Sequence, residues 1–266
     1  MTPAWGPAWL FCPADRPERY AKALERADVV ILDLEDAVAP HRKASARESL
    51  ANADVDWSRA VLRINGTTTA EHQQDLALLP RLGVQYLMLP KAETSSSLEA
   101  LRRYQVIVLV ESPLGVERVA DLVQSENVIG AMWGADDLVA GLGGTSSRHP
   151  DSRYRDIARY SRARTLMAAK AYHRLAVDAV HMNIADLDGL RQECTDAAAS
   201  GFDGTAAIHP SQVAVIREAY QPSPEQVRWA RELLQAAADN QGVFTFEGQM
   251  VDGPIFRQAE RIIARA

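Results

Sequence analysis

The chain has 266 residues, with 29 Lys and Arg against 35 Asp and Glu, a formal net charge of −6 and 47% hydrophobic residues. This length suits one large α/β domain, and the acidic balance argues against nucleic acid or an anionic membrane as the main partner. No apolar run reaches the roughly 18 residues that a membrane span needs, and the opening MTPAWGPAWLFCPADR lacks the basic stretch of a secretory signal. A cytoplasmic location is therefore expected.

The two cysteines, Cys12 and Cys194, are too few and too far apart for a disulfide framework or a thiolate metal site. The segments around them are apolar or have a helical pattern. We expect both residues to be buried, unreactive thiols.

Eight short apolar runs follow one another along the chain. They are continuous rather than alternating, which is typical of parallel strands covered on both faces. The runs are 9–13, 29–35, 60–65, 86–90, 106–111, 130–135, 176–182 and 205–210. Segments of helical periodicity lie between most of them, including 16–27, 98–104, 157–173 and 187–200. Eight strands alternating with helices predict an α/β fold, a single (β/α)8 TIM barrel.

An open, doubly wound sheet is the alternative fold, but no Gly-rich phosphate-binding motif follows the first strand. The long gap between the sixth and seventh runs contains GLGGTSSRHPDSRYRD, which predicts an enlarged loop at the mouth of the barrel. We assign the barrel to 1–220. Residues 221–266 are predicted to be a C-terminal extension of the same domain. It contains one helix that begins at Ser223 and Pro224 and a second helix at the C-terminus.

Charged or polar residues follow most of the predicted strands. In TIM barrels, catalytic and binding residues lie at the carboxyl ends of the strands. The residues are Asp33, Glu35, Asp36, Arg63, Asn65, Lys91, Glu93, Glu111, Asp136, Asp137, His209 and Ser211. Any one of them could be a loop residue or a helix cap, and Lys91 with Glu93 could form a simple ion pair at the rim. Their recurrence at one rim predicts a functional site there.

Several of these rim residues are carboxylates, which repel one another unless a cation or protons intervene. Since histidines are few and no thiolate cluster exists, an oxygen-preferring cation is expected. Mg²⁺ takes one or two protein carboxylates and fills its other positions with water and substrate oxygens. Glu111 and Asp137 follow neighbouring strands and are the predicted metal ligands, with Mn²⁺ as the alternative ion.

Segments in order along almost the whole chain resemble the citrate lyase beta-subunit-like proteins. The segments are WLFCPADRPERYAKA, VVILDLEDAVAPHRKASAR, LRIN, LMLPKAE, VLVESPLG, MWGADDL, AIHPSQV and FEGQMVDGP. These proteins belong to the metal-dependent aldolase superfamily that includes malyl-CoA and citramalyl-CoA lyases. The resemblance implies a magnesium-binding (β/α)8 barrel that assembles as a trimer and cleaves or forms a carbon–carbon bond beside a thioester. VESPLG departs from the VETARG form of close relatives, which puts acyl selectivity in doubt.

The resemblance also implies roles for individual residues. Glu111 and Asp137 match the family's metal ligands, and Glu35, with Asp36, matches acids near the metal. Arg63 matches the arginine that contacts the oxygen atoms of the substrate and stabilises charge that develops on them.

Three further residues match more distant parts of the family's site. Asp252 matches an acid that the C-terminal segment delivers, commonly into a neighbouring subunit's site, and is the predicted general acid/base; its alternative role is a helix N-cap. Arg16 and Lys22 fall where family members place basic residues near the phosphates of CoA. Small residues permit close approach of a ligand, so the backbone N–H groups near Gly134 and Ala135 are predicted to bind the ketoacid carboxylate, with a tight loop as the alternative for the glycine.

The resulting hypothesis is a Mg²⁺-dependent lyase that cleaves a short 3-hydroxyacyl-CoA, such as citramalyl-CoA or malyl-CoA, to acetyl-CoA and a 2-ketoacid. Thioester hydrolysis is an expected side activity. A CoA-independent pyruvate aldolase and the beta subunit of a multi-subunit citrate lyase acting on an acyl-carrier-protein thioester remain alternatives, as does a non-catalytic subunit of a larger complex. The expected partners are these small molecules and further copies of the chain, a homotrimer being favoured.

Overall fold

Eight parallel strands form a closed barrel in chain order. The computed structural model describes residues 3–238 and 242–266. Each strand pairs with the next, and β1 pairs with β8 to close the barrel. The strands are β1 (Ala8–Pro13), β2 (Val29–Asp33), β3 (Ala60–Arg63), β4 (Tyr86–Leu89), β5 (Gln105–Val110), β6 (Val128–Trp133), β7 (Leu175–Asp178) and β8 (Gly204–Ala207). The predicted (β/α)8 barrel is confirmed, and the open sheet is excluded.

Helices connect the strands, as a parallel sheet requires. The α-helices up to β8 are α1 (Tyr20–Arg26), α2 (Lys43–Asn52), α3 (Ala70–Leu78), α4 (Pro113–Val123), α5 (Ala135–Gly141), α6 (Asp156–Ala171) and α7 (Leu187–Ser200). Helix α7 has the predicted bounds: the Asp186 carboxylate accepts a hydrogen bond from the Gly189 N–H at its start, and Gly201 ends it with a φ of 109°. A left-handed residue at this position favours glycine. The segment predicted as helical at 98–104 is instead a 3₁₀-helix over Ser95–Leu101.

The chain divides into two compact units, the first ending at Ile216 and the second beginning at Arg217. Helix α8 (Ser211–Tyr220) crosses this division, which lies near the predicted boundary at residue 220. The second unit contains α9 (Pro224–Ala238), the antiparallel pair β9 (Phe244–Phe246) and β10 (Gln249–Val251), and α10 (Gly253–Arg265). It has its own small apolar cluster, which includes Leu233 and Val251.

Alternate residues of the strands form the apolar core of the barrel and lead up to its polar rim. In β2, Val29 and Ile31 belong to this core, and Asp33 continues the series at the carboxyl end. In β3, Arg63 continues the series from Val61 in the same way. Because side chains alternate between the two faces of a strand, Asp33 and Arg63 lie on the face that fills the barrel.

Both cysteines are buried and free, as predicted. Burial raises the pKa of the Cys12 thiol to about 11 and that of the Cys194 thiol to about 12. Neither group therefore has the thiolate character that reactive cysteines need.

Among residues 3–238 and 242–266, no helix has both the length and the apolar character that a membrane span would need.

Candidate active site

An ionic pair between β2 and β3 forms one wall of the polar rim. Asp33 and Arg63 are direct neighbours in the register of the two strands. Arg63 donates two parallel hydrogen bonds to Asp33, from Nε to Oδ1 at 2.8 Å and from Nη2 to Oδ2 at 2.6 Å. Its guanidinium also lies 4.9 Å from the centre of the Phe11 ring. Burial disfavours the charged arginine, but the Asp33 carboxylate outweighs it and raises the pKa of Arg63. The arginine is thus held in one orientation with its charge intact.

Asp33 also fixes the turn that presents Glu35. The Glu35 N–H donates to Asp33 Oδ1 at 2.8 Å, and the Ala37 N–H donates to Asp33 Oδ2 at 3.1 Å. Glu35 Oε2 then lies 2.9 Å from Arg63 Nη1. Burial raises the pKa of Glu35, although Arg63 and Lys91 both oppose the shift. Asp33 thus positions two predicted site residues, Glu35 and Arg63. The sequence pattern does not reveal this role of Asp33.

The buried Lys43 also stabilises the turn that presents Glu35. Lys43 Nζ donates to the carbonyl oxygens of Leu34 and Glu35 at 2.8 and 2.9 Å and to Asn65 Oδ1 at 2.6 Å. Asn65 in turn donates to the buried Asp75 carboxylate, from its backbone N–H and from Nδ2, at 2.7 Å each. This network fixes the ends of β2 and β3 relative to each other. Nothing in the spacing of these residues predicts it, because its members come from four separate segments.

Glu111 follows β5 directly and is 4% exposed. Burial and the nearby Asp137 carboxylate raise the pKa of Glu111 to about 8, against the opposing effect of Lys91. Its Oε1 accepts a hydrogen bond from the Lys91 backbone N–H at 3.1 Å. Glu111 is therefore a carboxyl whose charge needs a cation close by.

Lys91 places that cation among the rim carboxylates. Its Nζ lies 2.8 Å from Glu35 Oε1, 3.4 Å from Asp137 Oδ1, 3.6 Å from Asp36 Oδ2 and 3.9 Å from Glu111 Oε1. The predicted partners Glu111 and Asp137 thus both lie within 4 Å of one positive charge. The alternative ion pair between Lys91 and Glu93 is not among the contacts of these described residues. The roles of Lys91 and Asp33 are the main features of the site that sequence reasoning missed.

The backbone of Lys91 is unusual as well, with a φ of 49°. This left-handed conformation is uncommon for a residue with a side chain and costs about 1 kcal/mol. It turns the chain directly after β4, so that one residue supplies both an N–H to Glu111 and an ammonium to the cluster. Unfavourable backbone geometry of this kind is concentrated at functional sites.

Gly134 is needed for close approach rather than for a special backbone angle. A Cβ at this position would lie 2.8 Å from Glu111 Oε2 and 2.9 Å from Glu111 Cβ. The Gly134 N–H donates to the Val110 carbonyl at 3.1 Å. The barrel backbone thus already uses this N–H, and binding of a ketoacid by the N–H groups near Gly134 stays a prediction. Ala135 begins α5, whose first-turn N–H groups have no acceptor within the helix, and its role stays a prediction.

The predicted CoA-binding residues lie after β1. Arg16 precedes the 3₁₀ turn Pro17–Arg19, and its side chain is 44% exposed beside Asp15. Lys22 is exposed on α1. Both are placed to contact an anion from solvent, and their binding to CoA stays a prediction.

Asp252 belongs to the second unit, where it is partly buried and occupies the N-cap position of α10. Its backbone is extended, with φ −132° and ψ −173°, and its side chain makes no capping hydrogen bond to the described helix. The carboxylate is therefore not used as a cap. Its role as general acid/base stays a prediction.

The donor set of the rim fits a magnesium ion held by two carboxylates. Glu111 and Asp137 both approach the Lys91 ammonium. Mg²⁺ commonly uses one or two carboxylates together with substrate oxygens and water. The buried Glu35 Oε2 accepts no hydrogen bond from any described residue, despite its ionic contact with Arg63. In the described part of the chain, no three His, Cys, Asp or Glu side chains are arranged to hold a metal. Glu111 and Asp137 are therefore the two carboxylates that would hold the ion.

A second ionic network lies beside β7 and lines a cavity of about 460 Å³. Arg162 on α6 contacts both Asp178 oxygens at 2.8 to 3.1 Å, and Trp133 Nε1 donates to Asp178 Oδ1 at 2.6 Å. His181 Nδ1 lies 2.9 Å from Glu193 Oε2. None of the predicted site residues lines this cavity. The network fastens α6 and α7 to the outside of the barrel.

Comparison with known proteins shows the family to which the chain belongs. The HpcH/HpaI aldolase/citrate lyase family matches residues 8–210. A citrate lyase subunit beta-like protein of Mycobacterium tuberculosis is 51% identical over 99% of this chain and 96% of its own length. The mitochondrial citramalyl-CoA lyase of Rattus norvegicus is 31% identical over 97% of this chain and 85% of its own.

A solved structure extends the likeness to three dimensions. It is the CitE protein of Mycobacterium tuberculosis in complex with magnesium, acetoacetate and coenzyme A. The two chains share 51% identity and a TM-score of 0.96 over 99% of this chain and 98% of that one. The resemblance found in the sequence motifs is confirmed. This chain is a member of the HpcH/HpaI aldolase/citrate lyase family, a family of lyases.

Proposed function

We propose that the protein is a Mg²⁺-dependent carbon–carbon lyase that cleaves a short 3-hydroxyacyl-CoA to acetyl-CoA and a 2-ketoacid. The observation that carries this proposal is the approach of the Glu111 and Asp137 carboxylates to one positive charge, at the carboxyl end of the barrel. The relatives support the substrate class, since one is a citramalyl-CoA lyase and a similar structure contains magnesium with coenzyme A. Citramalyl-CoA and malyl-CoA are the first substrates to test.

Glu111 and Asp137 would hold the magnesium ion. When bound, it supplies a Lewis acid and a template for the carboxylate and hydroxyl oxygens of the substrate. Gly134 keeps open the space that the Glu111 carboxylate occupies. Glu35, held between Arg63 and Lys91, adds negative charge beside the ion.

The reaction breaks the bond between C2 and C3 of the acyl chain. The C3 hydroxyl gives its proton to solvent and becomes the keto oxygen of the ketoacid, while the electrons of the C2–C3 bond move to the thioester as an enolate. Arg63, which stays charged and fixed by Asp33, would stabilise negative charge on oxygen. Asp252 would then deliver a proton to C2, which completes acetyl-CoA. Positioned proton transfer of this kind contributes about 10²–10⁴-fold to the rate.

Arg16 and Lys22 would contact the phosphates of CoA from the segment after β1. Their exposure favours this role, because a bound anion needs cations that are reachable from solvent. The chain would function as a homotrimer, with residues 221–266 packing on a neighbouring subunit.

The test is an assay of ketoacid release. Purified protein is incubated with citramalyl-CoA or malyl-CoA, with Mg²⁺ or with EDTA, and the ketoacid is measured by a coupled dehydrogenase. We expect release with Mg²⁺ and none with EDTA, and none from Asp137→Asn in either condition. Lack of metal-dependent release from both thioesters would contradict the proposal. Condensation of free pyruvate with an aldehyde, without CoA, would identify an aldolase instead.

A further inference from the structure

The Lys91 ammonium contacts the same two carboxylates to which the proposed function assigns the metal. Its Nζ lies 3.4 Å from Asp137 Oδ1 and 3.9 Å from Glu111 Oε1. We propose that Lys91 is a built-in counter-ion of this site, and that its side chain competes with the divalent cation for Glu111 and Asp137. This inference rests on the proposed function in so far as the latter places the metal there.

Competition follows from the charges. Two cations that approach the same oxygens repel each other, and the repulsion is strong where solvent is partly excluded. Glu111 is almost fully buried, whereas the side chains of Lys91 and Asp137 are 42% and 44% exposed. An ion that enters from solvent therefore meets a positive charge already in contact with its ligands. Displacing this charge costs free energy, which weakens the binding of the metal ion.

The Lys91 ammonium has two other acidic partners that can bind it when a metal displaces it from Glu111 and Asp137. Glu35 Oε1 accepts a hydrogen bond from Nζ at 2.8 Å, and Asp36 Oδ2 lies 3.6 Å away. The long, flexible lysine side chain allows Nζ to shift toward these two acids without leaving the cluster. Glu35 and Asp36 thus give the displaced ammonium an alternative ionic contact.

The backbone and the side chain of Lys91 act differently on Glu111. The backbone N–H donates to Glu111 Oε1 at 3.1 Å, which positions the ligand. The side chain neutralises the ligand's charge and so stabilises the cluster of carboxylates. Because a substitution leaves the N–H in place, the two effects can be separated by mutagenesis.

The experiment compares Mg²⁺ binding and thermal stability in the wild type, Lys91→Met and Lys170→Met. Lys170 is the matched control, since it is 39% exposed and pairs with a single carboxylate, Asp203, away from the rim. The Mg²⁺ affinity is measured by calorimetric titration, and the melting temperature in EDTA and in Mg²⁺.

We expect Lys91→Met to bind Mg²⁺ about tenfold more tightly than the wild type, because one competing unit charge is removed. Its melting temperature in EDTA should fall below those of the wild type and Lys170→Met, since the carboxylates then lack their counter-ion. Its gain in melting temperature on adding Mg²⁺ should be the largest of the three. Lys91→Asn repeats the test with a residue that tolerates a left-handed backbone, should the methionine variant fold poorly.

Unchanged or weaker Mg²⁺ affinity in both Lys91 variants, with normal binding by the wild type, would overturn the competition and leave the proposed function standing. Lack of Mg²⁺ binding by the wild type itself would overturn the assignment of the metal, and the competition with it. Tighter binding in Lys170→Met as well would show a general charge effect and overturn the specific role of Lys91.

Discussion

Glu111 shows how strongly one residue's chemistry depends on its surroundings. Burial comes first and repulsion from Asp137 second, and together they raise its pKa to about 8 despite the Lys91 ammonium nearby. Because this pKa already includes the effect of Lys91, the carboxyl is charged at neutral pH only when a further cation, such as a bound divalent ion, favours that form. A residue of this kind is useful for binding a cation and unfavourable for folding.

The pH dependence of stability should show this cost. Between the ordinary carboxyl pKa of 4.5 and about 8, the folded protein keeps a proton on Glu111 that the unfolded chain has lost. The free energy of unfolding should therefore fall as the pH rises through this window, by at most about 1.4 kcal/mol per pH unit. Glu111→Gln, which cannot ionise, should flatten the slope in urea unfolding measured in EDTA. The exposed Glu99→Gln is the control, and an equal slope in all three proteins would contradict the pKa of Glu111.

At the scale of secondary-structure elements, buried ion pairs determine where helices attach to the barrel. Asp178 at the end of β7 is 5% exposed and bonds to Arg162 on α6 and to Trp133 on β6. Burial keeps the pKa of Asp178 above its ordinary value even beside this arginine. The pair therefore joins three elements through a charge that is almost fully buried.

Arg162→Met should destabilise the protein by about 3–5 kcal/mol, because it leaves a buried carboxylate without its cation. The free energy of unfolding in urea measures this loss. Arg153→Met is the control, since Arg153 is 80% exposed and pairs with an exposed aspartate, and it should change stability by no more than about 1 kcal/mol. Similar losses in the two variants would show that burial of the pair has no energetic role.

At the scale of the whole molecule, the chain has two compact units, and residues with proposed catalytic roles belong to each of them. The carboxylates and Arg63 belong to the barrel, whereas Asp252 begins α10 in the second unit. Its side chain makes no capping hydrogen bond to α10. The proposal that Asp252 acts in a neighbouring subunit's site is tested by mixing variants.

Mixing two inactive variants tests this arrangement. Asp252→Asn and Asp137→Asn should each be inactive alone, and subunit exchange between them should restore activity. In random trimers, about a quarter of the sites would then contain an intact Asp137 from one chain and an intact Asp252 from the next. Ketoacid release after exchange under mild denaturant measures the recovery, and each variant exchanged with itself is the control. Lack of recovery despite proven exchange would mean that Asp252 acts within its own chain.

The sequence predicts the barrel well because continuous apolar runs and regular spacing are local signals. It also predicts Glu111 and Asp137 as neighbours, since parallel strands bring their carboxyl ends to one rim. The sequence places Lys91 at the rim but does not predict its contacts with four acids, because these depend on a left-handed backbone at Lys91 that is uncommon for a residue with a side chain. The sequence also does not show that Gly134 leaves room for the Glu111 side chain, because this contact joins residues 23 positions apart. Contacts between segments that are far apart in the sequence cannot be predicted from local patterns.

The ionic cluster is confined to the part of the barrel between Asp33 and Asp137, which runs from β2 to the start of α5. The long connection between α5 and α6, and the loops that follow β7 and β8, contribute none of its described contacts. Substitutions in those connections would therefore remove none of the ionic contacts of the cluster directly. Divergent enzymes built on this scaffold could evolve new acyl preferences there, one loop at a time, while inheriting the same reaction.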